Sequence, residues 1–274
     1  MAPSRLGIVT ASTDIPRAGA CLRSWAASAT STTPLRIHIV PGRTEEGHYK
    51  GTVGAFREGI DHLLQEPDLA VIACLHDDVE LLERGWDERV MGFFLRHSRA
   101  GLLGFGGALA LGADDLYDQP YDPMRLARQH FRSNLLDAEA HGIRSLVPER
   151  VACLDGFSQV GRREFWEGFE GPLADRRDGD RQPTYRRPWT ELKALGIIHH
   201  FYDGLLGCLA ARHGWETWYL PVRCRHYGGR TAVGDPGYQR WAEQAHGGDR
   251  QIWEQSHRIG YEAFRDVLPL RVAQ

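Results

Sequence analysis

At 274 residues, with 42% hydrophobic and 25% charged residues and a formal net charge of −3, the chain has the composition of a globular protein with one substantial core. That balance excludes a bulk electrostatic drive toward nucleic acid or anionic membrane. Cys21, Cys74, Cys153, Cys208 and Cys224 form no CxxC pair, the first residues lack a signal-peptide pattern, and no run reaches about 18 apolar residues. The sequence therefore predicts a cytoplasmic protein with no transmembrane segment.

Leu6 to Thr10 reads as a first strand, and Asp14-Ile15-Pro16 offers an N-cap and an early proline that open a helix to about Ala29. Leu35 to Val40 is a second strand, stopped by Pro41-Gly42. A helix follows from Val53 to Leu64. Leu69 to Leu75 is a buried strand that runs into His76-Asp77-Asp78. A helix near Trp86 to Arg96 and a strand over Leu102 to Phe105 complete a β-α alternation that predicts a mostly parallel sheet with crossover helices.

Beyond Phe105 the pattern loosens. The sequence predicts a helix around Met124 to His141, a strand over Val151 to Leu154 and a short helix from Arg162 to Trp166. Gly171 to Pro188 reads as a polar surface loop, where Arg176, Arg177, Arg181, Arg186 and Arg187 alternate with Asp175, Asp178 and Asp180. His199 to His213 is a helix and Glu216 to Leu220 a strand. The tail from Tyr238 is helical, with an apolar stripe of Ile252, Trp253, Ile259 and Phe264.

Four patches carry chemistry. Acids at the carboxyl edge of a parallel strand must be hydrated, paired or metal-bound, because bare burial is too costly, and open α/β sheets bind ligands at that edge. His76-Asp77-Asp78 is one such group, and Asp155-Gly156 ends another apolar run. Asp203 lies in the first turn of a helix, after His199-His200. The last patch is Arg223 to Arg230, which contains His226-Tyr227-Gly228-Gly229. Taken singly, the acids are also ordinary turn and cap residues, and His226 an ordinary hydrogen-bonded histidine. Their joint order is what points to a site.

That order resembles the family 2 glycosyltransferases of the GT-A fold. The matching features are a strand ending in paired acids, Gly156 before Arg162-Arg163, Asp203 opening a helix that ends at His213-Gly214, Trp218 to Pro221, and His226-x-Gly-Gly. Tyr49-Lys50-Gly51 through Glu58-Gly59-Ile60 is similar to an upstream segment of the same family. The resemblance spans residues 5 to 230 and implies a GT-A-like α/β domain over 1–236, with residues 237–274 as a helical tail packed on it. It implies Asp78 and His226 as metal ligands, with Mn²⁺ or Mg²⁺ as cofactor, and Asp203 as the general base of an inverting transfer. Thr10, Ala11, Ser12, Lys50, Asp77 and Arg230 fall on the side of a nucleotide-sugar donor, and Asp155, Gly156 and His200 on the side of the acceptor.

The chain departs from the family at three places. His76 stands where an Asp or Asn is usual, leaving the first ligand position open. Tyr202 replaces the glutamate that often precedes the base. Val40-Pro41-Gly42 lacks the aspartate that usually meets the nucleobase. Two other readings stay open: a nucleotidyltransferase on the same kind of sheet, though Thr10 to Asp14 offers no lysine, and a catalytically inactive nucleotide-sugar-binding module. The acceptor is open among glycan, lipid-linked sugar, small metabolite, protein and a hydroxylated base in DNA.

Overall fold

The computed structural model describes residues 5–32, 34–112, 130–136, 142–170, 185–228 and 235–272. The first part follows the predicted alternation: β1 (Arg5–Ser12), α1 (Ile15–Ser28), β2 (Arg36–Pro41), α2 (Thr52–Leu63) and β3 (Leu69–Leu75). Next come β4 (Val79–Leu81), α3 (Trp86–Arg96) and β5 (Ala100–Gly104). Short strands then accumulate as β6 (Gly106–Ala108), β7 (Ala110–Leu111), β8 (Phe131–Ser133), β9 (Ile143–Arg144), β10 (Glu149–Arg150) and β11 (Cys153–Leu154). They lead to β12 (Ser158–Arg162), α4 (Arg163–Glu167), β13 (Phe169–Glu170) and β14 (Tyr185–Arg186). The chain continues through α5 (Pro188–Ala194), α6 (Tyr202–Arg212), β15 (Glu216–Tyr219) and β16 (Cys224–His226). Finally come α7 (Pro236–His246), α8 (Asp249–Ala263) and β17 (Leu270–Arg271).

The central sheet has the order β10-β15-β5-β12-β3-β1-β2. It is mixed rather than mostly parallel. β1 runs parallel to β2 and β3, and β15 parallel to β5, but β12 is antiparallel to both its neighbours and β10 to β15. The unexpected member is β12, whose sequence Ser-Gln-Val-Gly-Arg has no apolar alternation. The Asp155-Gly156-Phe157 turn lies at the carboxyl end of β3, where His76 N–H bonds to the Phe157 carbonyl, so β12 enters the sheet from that edge, with Ser158 opposite Leu75, and runs antiparallel to β3. Its buried Ser158 hydroxyl accepts the Phe105 N–H at 2.8 Å. The predicted helix over 124–141 is likewise overturned within 130–136, where Phe131–Ser133 is a strand; the rest of it lies outside the described residues. β11 joins a separate sheet of order β11-β6-β8-β9.

Alternation along the central strands divides the core in two. Val9, Ile72, Cys74 and Leu102 pack with Phe56, Ile60, Trp166, Trp189 and the apolar face of α6. Ile8, Val71, Ala73 and Leu103 pack with Trp25 of α1 and with Trp86, Val90 and Phe93 of α3. All five cysteines are buried and none is in a disulfide. No helix among the described residues is long and apolar enough to cross a membrane.

The tail meets the rest of the chain through specific contacts. Asp235 caps α7 by accepting from the N–H groups of Gly237 and Tyr238, and also accepts from Thr13 Oγ1 at 3.0 Å and Arg43 Nη2 at 3.3 Å. Phe264 is fully buried in the first core cluster, with Ile259 packed against it, and β17 pairs with β7.

Candidate functional site

The site begins where β3 ends. His76 N–H donates to the Phe157 carbonyl at 3.0 Å, and the Ser12 hydroxyl donates to Asp77 Oδ2 at 2.6 Å. These bonds tie the ends of β1 and β3 to the turn before β12. Asp77 and Asp78 are both buried, at 6% exposure. The chain then turns into β4, and β16 pairs with β4 in antiparallel register, His226 opposite Val79. Tyr227 N–H donates to the Asp78 carbonyl at 3.1 Å. This two-stranded ribbon carries His226 back over Asp78 from 148 residues further along the chain.

His76, Asp78 and His226 consequently converge, each offering one ligand atom within 4.8 Å of the other two. Asp78 Oδ1 lies 3.4 Å from His226 Nε2 and 4.0 Å from His76 Nδ1. Burial opposes the charged form of His226, but the hydrogen bond to Asp78 and the charges of Asp155 and Asp78 outweigh it and raise its pKa. For His76 burial wins over the same acids and lowers the pKa, so that imidazole is held neutral. One carboxylate and two imidazoles form a donor set suited to a divalent transition ion, and the acidic charges that raise the His226 pKa would also attract a cation.

The opposite wall is built from the β11–β12 turn and the start of α6. Asp203 Oδ2 accepts the Gly156 N–H at 3.1 Å and Oδ1 accepts the Gly204 N–H at 2.9 Å. Gly156 is required here: a Cβ would lie 2.7 Å from the Tyr202 hydroxyl and 3.4 Å from Asp203 Oδ2. The space freed by this glycine is thus used by the chain's own Tyr202. Phe201, immediately before α6, has φ 63°, the one left-handed non-glycine among the described residues. Its ring stacks on His257 of α8 at 3.9 Å, and Cβ atoms at Gly204 or Gly260 would collide with it. The tail therefore holds the strained residue that aims Asp203. Burial first, then the Asp155 charge, push the Asp203 pKa up to about 6 against the hydrogen bonds that favour its ionised form.

These walls enclose a cavity of about 270 Å³. Of the residues predicted from sequence, Ala11, Ser12, Asp77, Asp78, Asp155, Gly156, His200 and Asp203 line it. His226 stands beside it through Asp78. Thr10 is fully buried inside β1, and Lys50 pairs with Glu58 at 2.7 Å; neither lines the cavity. Arg230 and the arginines at 176, 177 and 181 lie outside the described residues, while Arg187 pairs with Asp61 at 2.5 Å. The Arg162-Arg163 pair has a local role: Arg162 donates to the carbonyls of Phe94, His97 and Ala100, and Arg163 to those of Leu64, Glu66 and Leu69. Both cap helix ends, the former at α3 and the latter at α2. Sequence reasoning does not single out Thr13, Gly42 or Phe56, which also line the cavity. The available signal was Gly51, whose φ of 71° and close approach to the Ile198 carbonyl bring α2 against the segment before α6.

No described protein family matches the chain, and no curated protein matches it in sequence. In three dimensions it is similar to mannosyltransferase PcManGT from Pyrobaculum calidifontis in complex with GDP-Man and Mn2+, at TM-score 0.46 and 12% identity over 96% of this chain and 70% of that one. Similarity to A197 from STIV has TM-score 0.41 and 11% identity, covering 81% and 85% of the two chains. For S. aureus TarS 1-349 the values are 0.38 and 8%, with 96% and 73% covered.

Proposed function

We propose that this chain is a GT-A-like, cation-dependent inverting glycosyltransferase that moves a sugar from a nucleotide-sugar to a hydroxyl acceptor, residues 237–274 forming a tail packed on the transfer domain. The observation that carries the reading is one cavity with a carboxylate–imidazole cluster on one wall and a basic, half-buried carboxylate on the other. Asp78 and His226 hold the cation, and the imidazole favours Mn²⁺ over Mg²⁺. When bound, it neutralises charge on the departing diphosphate. Asp77, fixed by the Ser12 hydroxyl, faces the donor together with Ala11.

Asp203 takes the acceptor's proton. The acceptor oxygen bonds to the anomeric carbon from the face opposite the diphosphate, and the old glycosidic electron pair leaves with that diphosphate. A carboxylate with a pKa of about 6 is ionised at neutral pH yet more basic than a surface aspartate, which suits it to the task. Its two N–H donors orient it toward the cavity it lines.

A thermal-shift panel of nucleotide-sugars with and without Mn²⁺ tests the reading. At least one nucleotide-sugar is expected to raise Tm in wild type only with Mn²⁺, and not in Asp78→Ala. Slow hydrolysis of that donor is expected to fall about 10²- to 10⁴-fold in Asp203→Asn. If no nucleotide-sugar stabilises the wild type in a metal-dependent way, the proposal fails.

A further inference from the structure

His76 and Tyr202 are two of the positions at which the chain departs from the family it resembles, and in the structure they touch. Tyr202 Oη lies 2.7 Å from His76 Nε2 and 3.0 Å from the Gly156 carbonyl oxygen. We propose that Tyr202 and the Gly156 carbonyl lock His76 into its Nε2–H tautomer and so make Nδ1 a third ligand, converting an Asp–His cation site into a His–Asp–His site selective for transition ions over Mg²⁺. The inference rests on reading Asp78 and His226 as a cation site, but not on the identity of the reaction.

The argument is one of proton accounting. A carbonyl oxygen has no proton to give, so the single hydroxyl proton of Tyr202 is spent on Gly156. Its oxygen can then only accept from His76, which places the ring's proton on Nε2. A neutral imidazole carries one N–H, so Nδ1 retains its lone pair. Nδ1 is the nitrogen that faces Asp78 Oδ1, at 4.0 Å. Two ligand atoms on one cation with bonds near 2.1 Å stand about 3.0–3.5 Å apart, so a small closure suffices.

The relay is braced. Phe56 lies alongside both rings, stacked on His76 at 6.3 Å and edge-on to Tyr202 at 6.3 Å, while Trp189 packs on Tyr202 at 5.5 Å. Any side chain at Gly156 would collide with the Tyr202 hydroxyl. A hydrogen bond that fixes the far nitrogen of a ligating histidine is the usual way such rings are oriented. Two imidazoles and one carboxylate prefer Mn²⁺, Co²⁺ or Zn²⁺ to Mg²⁺, which seeks oxygen ligands and keeps its waters.

The test uses the whole chain and the metal alone, with no nucleotide. In ¹⁵N NMR of the metal-free wild type at pH 8, with His76 assigned by its absence in His76→Gln, the ring is expected as the Nε2–H tautomer. Mn²⁺ affinity, read by EPR, is expected to fall about 10- to 100-fold in Tyr202→Phe, which keeps the ring packing and removes the relay. His76→Gln is expected to lose at least as much Mn²⁺ affinity and to narrow the preference over Mg²⁺. An Nδ1–H tautomer in wild type overturns the proposal, and so does wild-type Mn²⁺ affinity in Tyr202→Phe. Should Tyr202→Phe not fold, the wild-type tautomer and the His76→Gln affinity still decide it. A protein that binds Mn²⁺ through His76 yet recognises no nucleotide-sugar would sink the transferase reading and leave this one standing.

Discussion

Two groups of histidines and acids border the same cavity, and they have different fates. In the first, His76, Asp78 and His226 arrive from two separate segments and aim ligand atoms at one region, within 4.8 Å of one another. In the second, His199 is hydrogen-bonded to Thr52 Oγ1 at 2.7 Å, and His200 is paired with Asp249 at 2.6 Å. Tyr238 also donates to Asp249. The imidazoles of the second group bond to separate partners on different elements, and those partners connect α2 and the tail to the segment before α6. The residue types match; the arrangement separates a candidate cation centre from a latch. Burial first, then the neighbouring His200, lower the His199 pKa to about 3, which suits a permanently neutral structural ring.

The largest break in that comparison comes from Asp78→Ala. Removing the one carboxylate of the first cluster takes away its only anionic donor, so Mn²⁺-dependent turnover should drop on the order of 10³-fold, with Mn²⁺ binding lost by EPR. Substituting His199 instead should leave Mn²⁺ affinity at the wild-type value. Equal losses at the two positions would erase the distinction between centre and latch.

A smaller effect separates the base from the latch by pH. Asp203 has a folded pKa of about 6 against an ordinary value of 3.8, and the groups that face it are Asp155, Tyr202 and Cys153. Because the folded value is raised, the unfolded chain ionises first as pH rises. Folding is therefore penalised progressively between about pH 4 and pH 6, and the penalty levels off above, at up to about 3 kcal/mol. The metal-free wild type should lose stability relative to Asp203→Asn across that window, read as the difference in Tm at pH 4 and pH 7.5. A constant difference would place the Asp203 pKa near its ordinary value. Donor turnover should rise through the same window as the base ionises, and Asp155→Asn should move that limb to lower pH.

Strong local patterns made part of this molecule legible. β1, α1, β2, α2, β3 and α3 follow from apolar runs and helix signals, and so does the placement of Asp77 and Asp78 at the carboxyl end of β3, whereas their burial does not. β12 did not show, because Ser158 and Gln159 are buried on backbone and side-chain hydrogen bonds rather than on hydrophobicity. His226 stood out in the sequence as part of a patch, but its pairing with Asp78 came only from the family resemblance, since that approach depends on two three-residue strands with no pattern of their own. Arg162 and Arg163 show the reverse: an arginine pair that echoes a motif is here engaged with six backbone carbonyls, at the ends of α2 and α3 and the starts of β3 and β5. Tyr202 shows why a relay escapes a sequence reading. Its partners are 126 and 46 positions away, so nothing near it in the chain announces the contact.

The smallest prediction probes the latch itself. Burial raises the Asp249 pKa, but hydrogen bonds from Tyr238 and His200 outweigh it and leave the pKa lowered. A lowered folded value means that the contribution of Asp249 is present at neutral pH and is lost as pH falls through that value. Its side chain is 44% exposed, so solvent screening limits the pair to about 1 kcal/mol. Asp249→Asn should therefore lower Tm by only a few degrees at pH 7, with less effect at pH 3. Mn²⁺ affinity should not change. His200 lines the cavity, so any kinetic effect should fall on the KM of the acceptor and not on donor binding. If Asp249→Asn weakened Mn²⁺ instead, the two clusters would form one coupled network, and the tail would belong to the cation site.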